Sequence, residues 1–436
     1  MSEIRIRRAG PLLGEITPPP DKSISHRAII LSSLAEGRSI IRNFLYAEDP
    51  LSTIGAFRQM GVEIEIKGIG ARGKGQDAEI IIEGKGLYGL QEPKEAIDCG
   101  NSGTTMRLLC GVLAGQPFSA TLKGDASLSR RPMKRIIEPL SLMGAAFKSE
   151  NGYPPLTVTG GELNAIEYKS PVASAQVKSS ILLAGLYCSG VTTVTEPEKS
   201  RDHTERMLRA AGVDINIDGL TVSLKGRAEP DPFDLTVPAD FSSAAFFITA
   251  GIIVPGSEIF IRNVGINPTR TGLMEILQAM GADIRLENKR EVSGEPVADI
   301  LARHSPLSGT DISGDMVPRT IDEFPVLCVA AAAARGITRI TGAKELRVKE
   351  SDRIAGMTAE LRKTGVNIEE LEDGLIIEGR EKLDSAVIQS YGDHRIAMSM
   401  AIAGLIADGE TTITETDCIN TSFPGFMGML ERLQKK

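Results

Sequence analysis

Lys22, Ser23, Ser25, His26 and Arg27 stand within six residues, directly after Pro18-Pro19-Pro20 and Asp21. If that stretch opens a helix, its unpaired N–H groups and dipole favour an anion. Ser23 can then cap, while Lys22 and Arg27 grip phosphate or carboxylate. A solvated first turn with incidental charge is the competing reading. Gly100-Asn101-Ser102-Gly103-Thr104-Thr105 lacks the GK[ST] ending of a P-loop, so it matches a nucleotide cradle poorly. Gly100 and Gly103 carry no Cβ, however, and let backbone N–H groups approach an anion closely. Arginine recurs at further helix starts: Arg131 before Pro132, Arg201 in Arg201-Asp202-His203-Thr204-Glu205, Arg270 in Asn267-Pro268-Thr269-Arg270, and Arg353 in Lys349-Glu350-Ser351-Asp352-Arg353. Pro132 is expected at the first helical position. A guanidinium at such a place opposes the positive end of the helix dipole, so its repetition calls for a counter-anion. Asp322 and Glu323 are either helix caps or acid–base groups whose charge nearby cations would stabilise. Lys349 and Glu350 would equally suit a solvated face, and His394-Arg395 a structural pair.

These residues fall at recurring places. Six polar openings, at Lys22, Asn101, Ser174-Ala175-Gln176-Val177-Lys178, Asp240-Phe241-Ser242-Ser243, Asp322 and Asp393, each precede an apolar stretch of helix length. Each stretch closes near a glycine, at Gly37, Gly115, Gly190, Gly256, Gly336 and Gly409, roughly 65–80 residues apart and beyond common solenoid periods. A second helical series interleaves, ending at Gly61, Gly144, Gly212, Gly281 and Gly365, and alternating apolar residues follow each stop. One unit reads as strand, helix, strand, helix, strand, strand.

The sixth unit runs into the C-terminus without its strands, and Ile4-Arg5-Ile6 with Gly14-Glu15-Ile16 are expected to complete it. The chain is therefore expected to form an α/β (α+β) protein of two lobes, each of three βαβαββ units. Residues 21–238 would make the first lobe, and 1–20 plus 239–436 the second. Proline-flanked crossovers at Pro18-Pro19-Pro20 and Pro238 suit a hinge.

Length and composition fit this plan. A chain of 436 residues exceeds one comfortable core. A net charge of −8 argues against a nucleic-acid or membrane-surface binder and leaves the arginine clusters to a focused pocket. No apolar run reaches about 20 residues and the N-terminus lacks a signal-peptide core, so a cytoplasmic location is expected. Five scattered cysteines without a CxxC read as buried thiols, and four histidines without metal spacing predict no metal site.

The ordered set DKSISHR (21–27), GNSGTT (100–105), GDASLSRRP (124–132), SAQVK (174–178), RDHTE (201–205), NPTRTG (267–272), IDEFP (321–325), VKESDR (348–353) and GDHRIAM (392–398) closely resembles the 5-enolpyruvylshikimate-3-phosphate synthase family of enolpyruvyl transferases. The resemblance spans nearly the whole chain. It implies the inverted α/β barrel-like fold of that family, with the active site in the interlobe cleft, and transfer of the enolpyruvyl group of phosphoenolpyruvate to the 5-hydroxyl of shikimate 3-phosphate. No cofactor is implied, and a monomer that is the target of glyphosate is expected. Matched motif by motif, Lys22, Ser23, Arg27, Ser174, Gln176, Arg201, Asp322 and Lys349 would contact shikimate 3-phosphate. Lys22, Gly103, Arg131, Gln176, Arg353 and Arg395 would contact phosphoenolpyruvate. Asp322 would be the base, with Lys22 and Glu350 candidates for the other proton transfers.

Departures narrow the resemblance. Pro20 stands where many relatives carry glycine, and Asn420-Thr421-Ser422 lacks a phosphate-binding lysine found in one subgroup. Gly103 stands where some glyphosate-tolerant members carry alanine. The related UDP-N-acetylglucosamine enolpyruvyl transferases carry a reactive cysteine in a loop that here, at 124–132, has none. A non-catalytic anion-binding protein on this scaffold would need neither Asp322 nor Glu350.

Overall fold

The computed structural model describes residues 2–68 and 79–434. Its helices are α1 Lys22–Leu34, α2 Glu48–Gln59, α3 Gly103–Ala114, α4 Lys134–Met143, α5 Ala175–Gly185, α6 His203–Ala210, α7 Phe241–Ile253, α8 Gly272–Ala279, α9 Met316–Thr320, α10 Phe324–Ala332, α11 Arg353–Lys363, α12 His394–Gly404 and α13 Phe426–Gln434. The polar openings become the first turns of α1, α3, α5, α7, α10 and α12. These helices are apolar nearly all round and are buried accordingly: every residue of α7 and of α12 is buried. The interleaved series is amphipathic instead. In α4 only Ile136, Pro139, Leu140 and Met143 are buried, one stripe at helical spacing, and Gly144 ends the helix at a φ of 117°.

The strands repeat one pattern. In the second unit Ile97–Asp98 lies parallel to Ser119–Lys123, which pairs antiparallel with Tyr153–Thr159, itself antiparallel to Ala146–Glu150. The third and fifth units build the same four-stranded sheet. The parallel edge strand leads into a buried helix, in the fifth unit by way of the short, partly buried α9, and two of these leading strands are exchanged. Asp234–Thr236, which precedes α7, is the parallel edge of the first unit's sheet beside Glu36–Arg42. Leu13–Ile16, which precedes α1, is the parallel edge of the fourth unit's sheet beside Glu258–Gly265. The expectation for the N-terminal strands therefore needs correction. Glu3–Arg7 joins the sixth sheet, antiparallel to Glu410–Thr414, whereas Leu13–Ile16 belongs to the fourth. The reason is a slot before α7 that Asp234–Thr236 leaves open. Alternation cannot reveal this, because a short strand fits either edge equally well.

The chain divides into two compact units: Pro20–Val237 with Val292–Gly294 (the N-unit), and Met1–Pro19, Pro238–Glu291 and Glu295–Lys436 (the C-unit). Each has its own core. Phe44 and Phe57 are fully buried in the N-unit, while Phe247, Phe423 and Phe426 pack ring against ring in the C-unit. Burial of each such ring contributes about 1.5–3 kcal/mol. In the N-unit α3 and α5 approach so closely that a Cβ on Gly111 would lie 2.2 Å from Ser180 O, which fixes the two helix starts side by side. No described helix is long and apolar enough to cross a membrane.

Candidate functional site

In the N-unit the cap of α1 is Asp21, whose Oδ1 accepts from the Ile24 N–H at 2.9 Å; it is not Ser23, which lies half-buried inside the helix. Lys22 is then the first helical residue, and its Nζ lies 3.0 Å from Asp49 Oδ2. Arg27 is buried one turn further on. Its guanidinium donates to Ser23 O (3.0 Å), Ser179 Oγ (2.9 Å) and Thr204 Oγ1 (2.6 Å), tying α1 to α5 and α6. His26 is structural, as its Nδ1 lies 2.7 Å from Thr53 Oγ1. Burial, reinforced by Lys22 and Arg27, holds its pKa well below the usual imidazole value.

Gly100 adopts a φ of +54°, and Ser102 caps α3 by accepting from the Thr105 N–H at 3.1 Å. Gly103 opens the helix where side chains crowd. A Cβ there would lie 2.9 Å from Arg107 Nη1 and 3.2 Å from Arg131 Nη1. Arg131 donates to Asn101 Oδ1 at 2.7 Å and weakly to Ser127 Oγ at 3.3 Å. Pro132 precedes the Met133 cap rather than opening α4, because the 3₁₀ turn Leu128–Arg130 delays the helix. Arg107 donates to Gln176 Oε1 at 2.6 Å, and Gln176 Nε2 donates to Thr104 Oγ1 at 3.0 Å, which settles which way the amide faces. Arg107 is thus a site residue that motif reading missed. The available signal was its position one turn from Gly103 on the same helix face.

At the start of α5 the Ser174 N–H donates to Glu196 Oε1 at 3.1 Å, while Ser174 Oγ reaches the Val177 N–H only at 3.5 Å. Glu196 also accepts from Ser200 Oγ (2.6 Å) and pairs with Lys178 (2.6 Å), whose ammonium is 2.8 Å from Glu205. This buried triad anchors the segment before half-buried Arg201. Burial alone would lower the Lys178 pKa, but the two carboxylates outweigh it and raise it.

In the C-unit Arg353, buried at the start of α11, is the centre of a carboxylate cluster. Its Nε donates to Asp393 Oδ2 at 2.9 Å, its Nη2 to Glu350 Oε2 at 2.6 Å, and its Nη1 is 3.8 Å from Asp322 Oδ1. Arg395 Nη2 lies 3.6 Å from Asp322 Oδ2, and Arg395 Nη1 donates to Asp322 O at 2.8 Å. Asp322 is therefore bracketed by two guanidiniums. Burial would push the Asp393 carboxyl up, yet the Arg353 charge prevails and holds it below the usual range. Lys349 Nζ is 3.2 Å from Glu345 Oε1, and burial lowers its pKa. His394 is buried at the first position of α12. Part of the counter-charge at these helix starts thus comes from the protein itself: Arg353 has Asp393 and Glu350, and Arg270 has Asp240 at 3.1 Å. Thr421 Oγ1 donates to Cys418 O at 2.7 Å.

Chemically, the N-unit set offers cations and helix N–H groups, while the C-unit set offers a carboxylate held between cations, suited to receive a hydroxyl proton. Among the described residues no cluster of three or more His, Cys, Asp or Glu is arranged to hold a metal ion. All five cysteines are free thiols, and burial lifts Cys110 and Cys418 to about 12.

The description "EPSP synthase (3-phosphoshikimate 1-carboxyvinyltransferase)" belongs to the family model that matches residues 6–430. The chain is 56% identical over 434 residues to the 3-phosphoshikimate 1-carboxyvinyltransferase of Thermodesulfovibrio yellowstonii, covering 99% of each. It is 54% identical over 436 residues to the protein of that name in Geobacter metallireducens, again covering 99% of each. A solved structure of EPSP synthase from Acinetobacter baumannii is similar with a TM-score of 0.86 at 48% identity, covering 99% of this chain and 98% of that one.

Proposed function

Since this chain belongs to the EPSP synthase family, we propose that its residues carry out transfer of the carboxyvinyl group of phosphoenolpyruvate to the 5-hydroxyl of shikimate 3-phosphate. The observation that carries the mechanism is Asp322 held between Arg353 and Arg395. Asp322 takes the proton of the 5-hydroxyl, whose oxygen attacks C2 of phosphoenolpyruvate while C3 gains a proton. The tetrahedral ketal then loses a proton from its C3 methyl group and phosphate from C2, so that a C2=C3 double bond forms and the enolpyruvyl ether remains. Lys22 and Glu350 are the groups assigned to these transfers at the methylene and the leaving phosphate.

Binding follows the charge. Lys22, Ser23, Arg27, Ser174, Gln176, Arg201 and Lys349 receive shikimate 3-phosphate, and Lys22, Gly103, Arg131, Gln176, Arg353 and Arg395 receive phosphoenolpyruvate. Two phosphates and two carboxylates call for many cations, which the two sets of residues supply. One chain bears both sets, which suits a monomer. Five free thiols accord with a reducing cytoplasm.

The UDP-N-acetylglucosamine reading is not favoured, since residues 124–132 contain no cysteine and Cys110 is buried with its thiol pushed up to about 12. Purified protein should release phosphate only when both substrates are present. Release from phosphoenolpyruvate alone, or none with both, would reject the assignment.

A further inference from the structure

The fourth helix start, Asp240-Phe241-Ser242-Ser243, and the Asn267-Pro268-Thr269-Arg270 motif take no part in the substrate contacts above. Both converge on the residue next to Asp322. Glu323 occupies the cap position of α10, yet its side chain caps no N–H of that helix. Instead its Oε1 accepts from Ser242 Oγ and lies 3.9 Å from Arg270 Nη2. Arg270 in turn donates to Ser242 Oγ and, at 3.1 Å, to Asp240 Oδ1. Ser242, Arg270 and Glu323 are each no more than 4% exposed.

The same segment grips the residues before Asp322. Arg319 Nε donates to Pro268 O at 2.9 Å, and a Cβ on Gly272 would lie 2.3 Å from Thr320 Oγ1. Asn267, which orders this segment, is itself held by Glu295 at 3.0 Å. Burying a carboxylate, a hydroxyl and a guanidinium together is costly unless they satisfy one another, and a helix cap alone does not require it.

We propose that Glu323 is a positioning residue for Asp322: Ser242 and Arg270 fix its carboxylate, which locks the turn from Thr320 to Glu323 and aims Asp322 at the hydroxyl. This rests on Asp322 being the base.

The test compares E323A, E323Q and D322N by steady-state kinetics, with shikimate 3-phosphate binding followed by calorimetry. E323A should lose about 10²-fold in kcat, the scale of a misplacement near 1 Å, with both KM values and shikimate 3-phosphate affinity within about threefold. E323Q keeps an oxygen acceptor for Ser242 and should recover most of that loss. If E323A does not fold, S242A, which deletes one hydroxyl, should still lower kcat without moving KM. A folded E323A with kcat within about threefold of the parent overturns the proposal, as does equal damage from E323Q and E323A. Full activity in D322N would remove the base itself, an outcome separate from either.

Discussion

Gly103 and Arg131 are neighbours across the start of α3: a Cβ on Gly103 would lie 3.2 Å from Arg131 Nη1 and 2.9 Å from Arg107 Nη1. A methyl group there must move two guanidiniums, one of which orients Gln176. Gly103→Ala should therefore raise the phosphoenolpyruvate KM by about tenfold, equivalent to ~1.4 kcal/mol, with a smaller effect on shikimate 3-phosphate. Glyphosate inhibition should weaken more than phosphoenolpyruvate binding if the methyl also meets the inhibitor. Unchanged kinetics for both substrates would show that the arginines move aside freely.

Lys178 stands buried between Glu196 and Glu205. Replacing it with methionine leaves two facing carboxylates uncompensated and should destabilise folding by about 3–5 kcal/mol. Its raised pKa means that its contribution is complete below the unfolded value of 10.5 and is lost only as pH climbs through the folded value. Urea unfolding at pH 8 tests this, and a loss under about 1 kcal/mol would contradict it.

His26 gives the acid-side prediction. Its folded pKa lies well below 6.5, so the unfolded chain binds a proton under pH 6.5 that the folded chain refuses. Stability therefore falls as pH drops below 6.5, by up to about 1.4 kcal/mol per unit from this residue. His26→Gln should flatten the stability curve between pH 6.5 and 5.5. Parallel curves for parent and variant would contradict the buried neutral imidazole.

Arg353 serves Asp393 and Glu350 with separate nitrogens, an arrangement that a lysine cannot span. Arg353→Lys should raise the phosphoenolpyruvate KM by about tenfold to a hundredfold through the loss of one charged hydrogen bond. It should also lower the unfolding midpoint. A variant with the parent's KM would show that Arg353 is purely structural.

The repeating helix starts were legible because capping polarity, apolar helices and glycine stops recur with one spacing, as at Ser102 and Asp393. The exchange of Leu13–Ile16 with Asp234–Thr236 was not, since short alternating strands carry no mark of their partner. Within the candidate site, motifs pointed to Asp322, Arg353 and Arg395, but not to Arg107 or to the bond from Ser242 to Glu323. Those depend on which side chains meet across 69 and 81 residues of chain, and residue type alone leaves that open. The cap at Asp21 rather than Ser23 was a local choice between two good caps only two residues apart.

Asp322 is where the proposed chemistry is tested most directly. In single-turnover phosphate release with both substrates saturating, Asp322→Asn should slow the chemical step by about 10²–10⁴-fold, while shikimate 3-phosphate still binds within a few-fold of the parent affinity. A variant that releases phosphate at the parent rate would contradict the assignment of the carboxylate between Arg353 and Arg395 as the base.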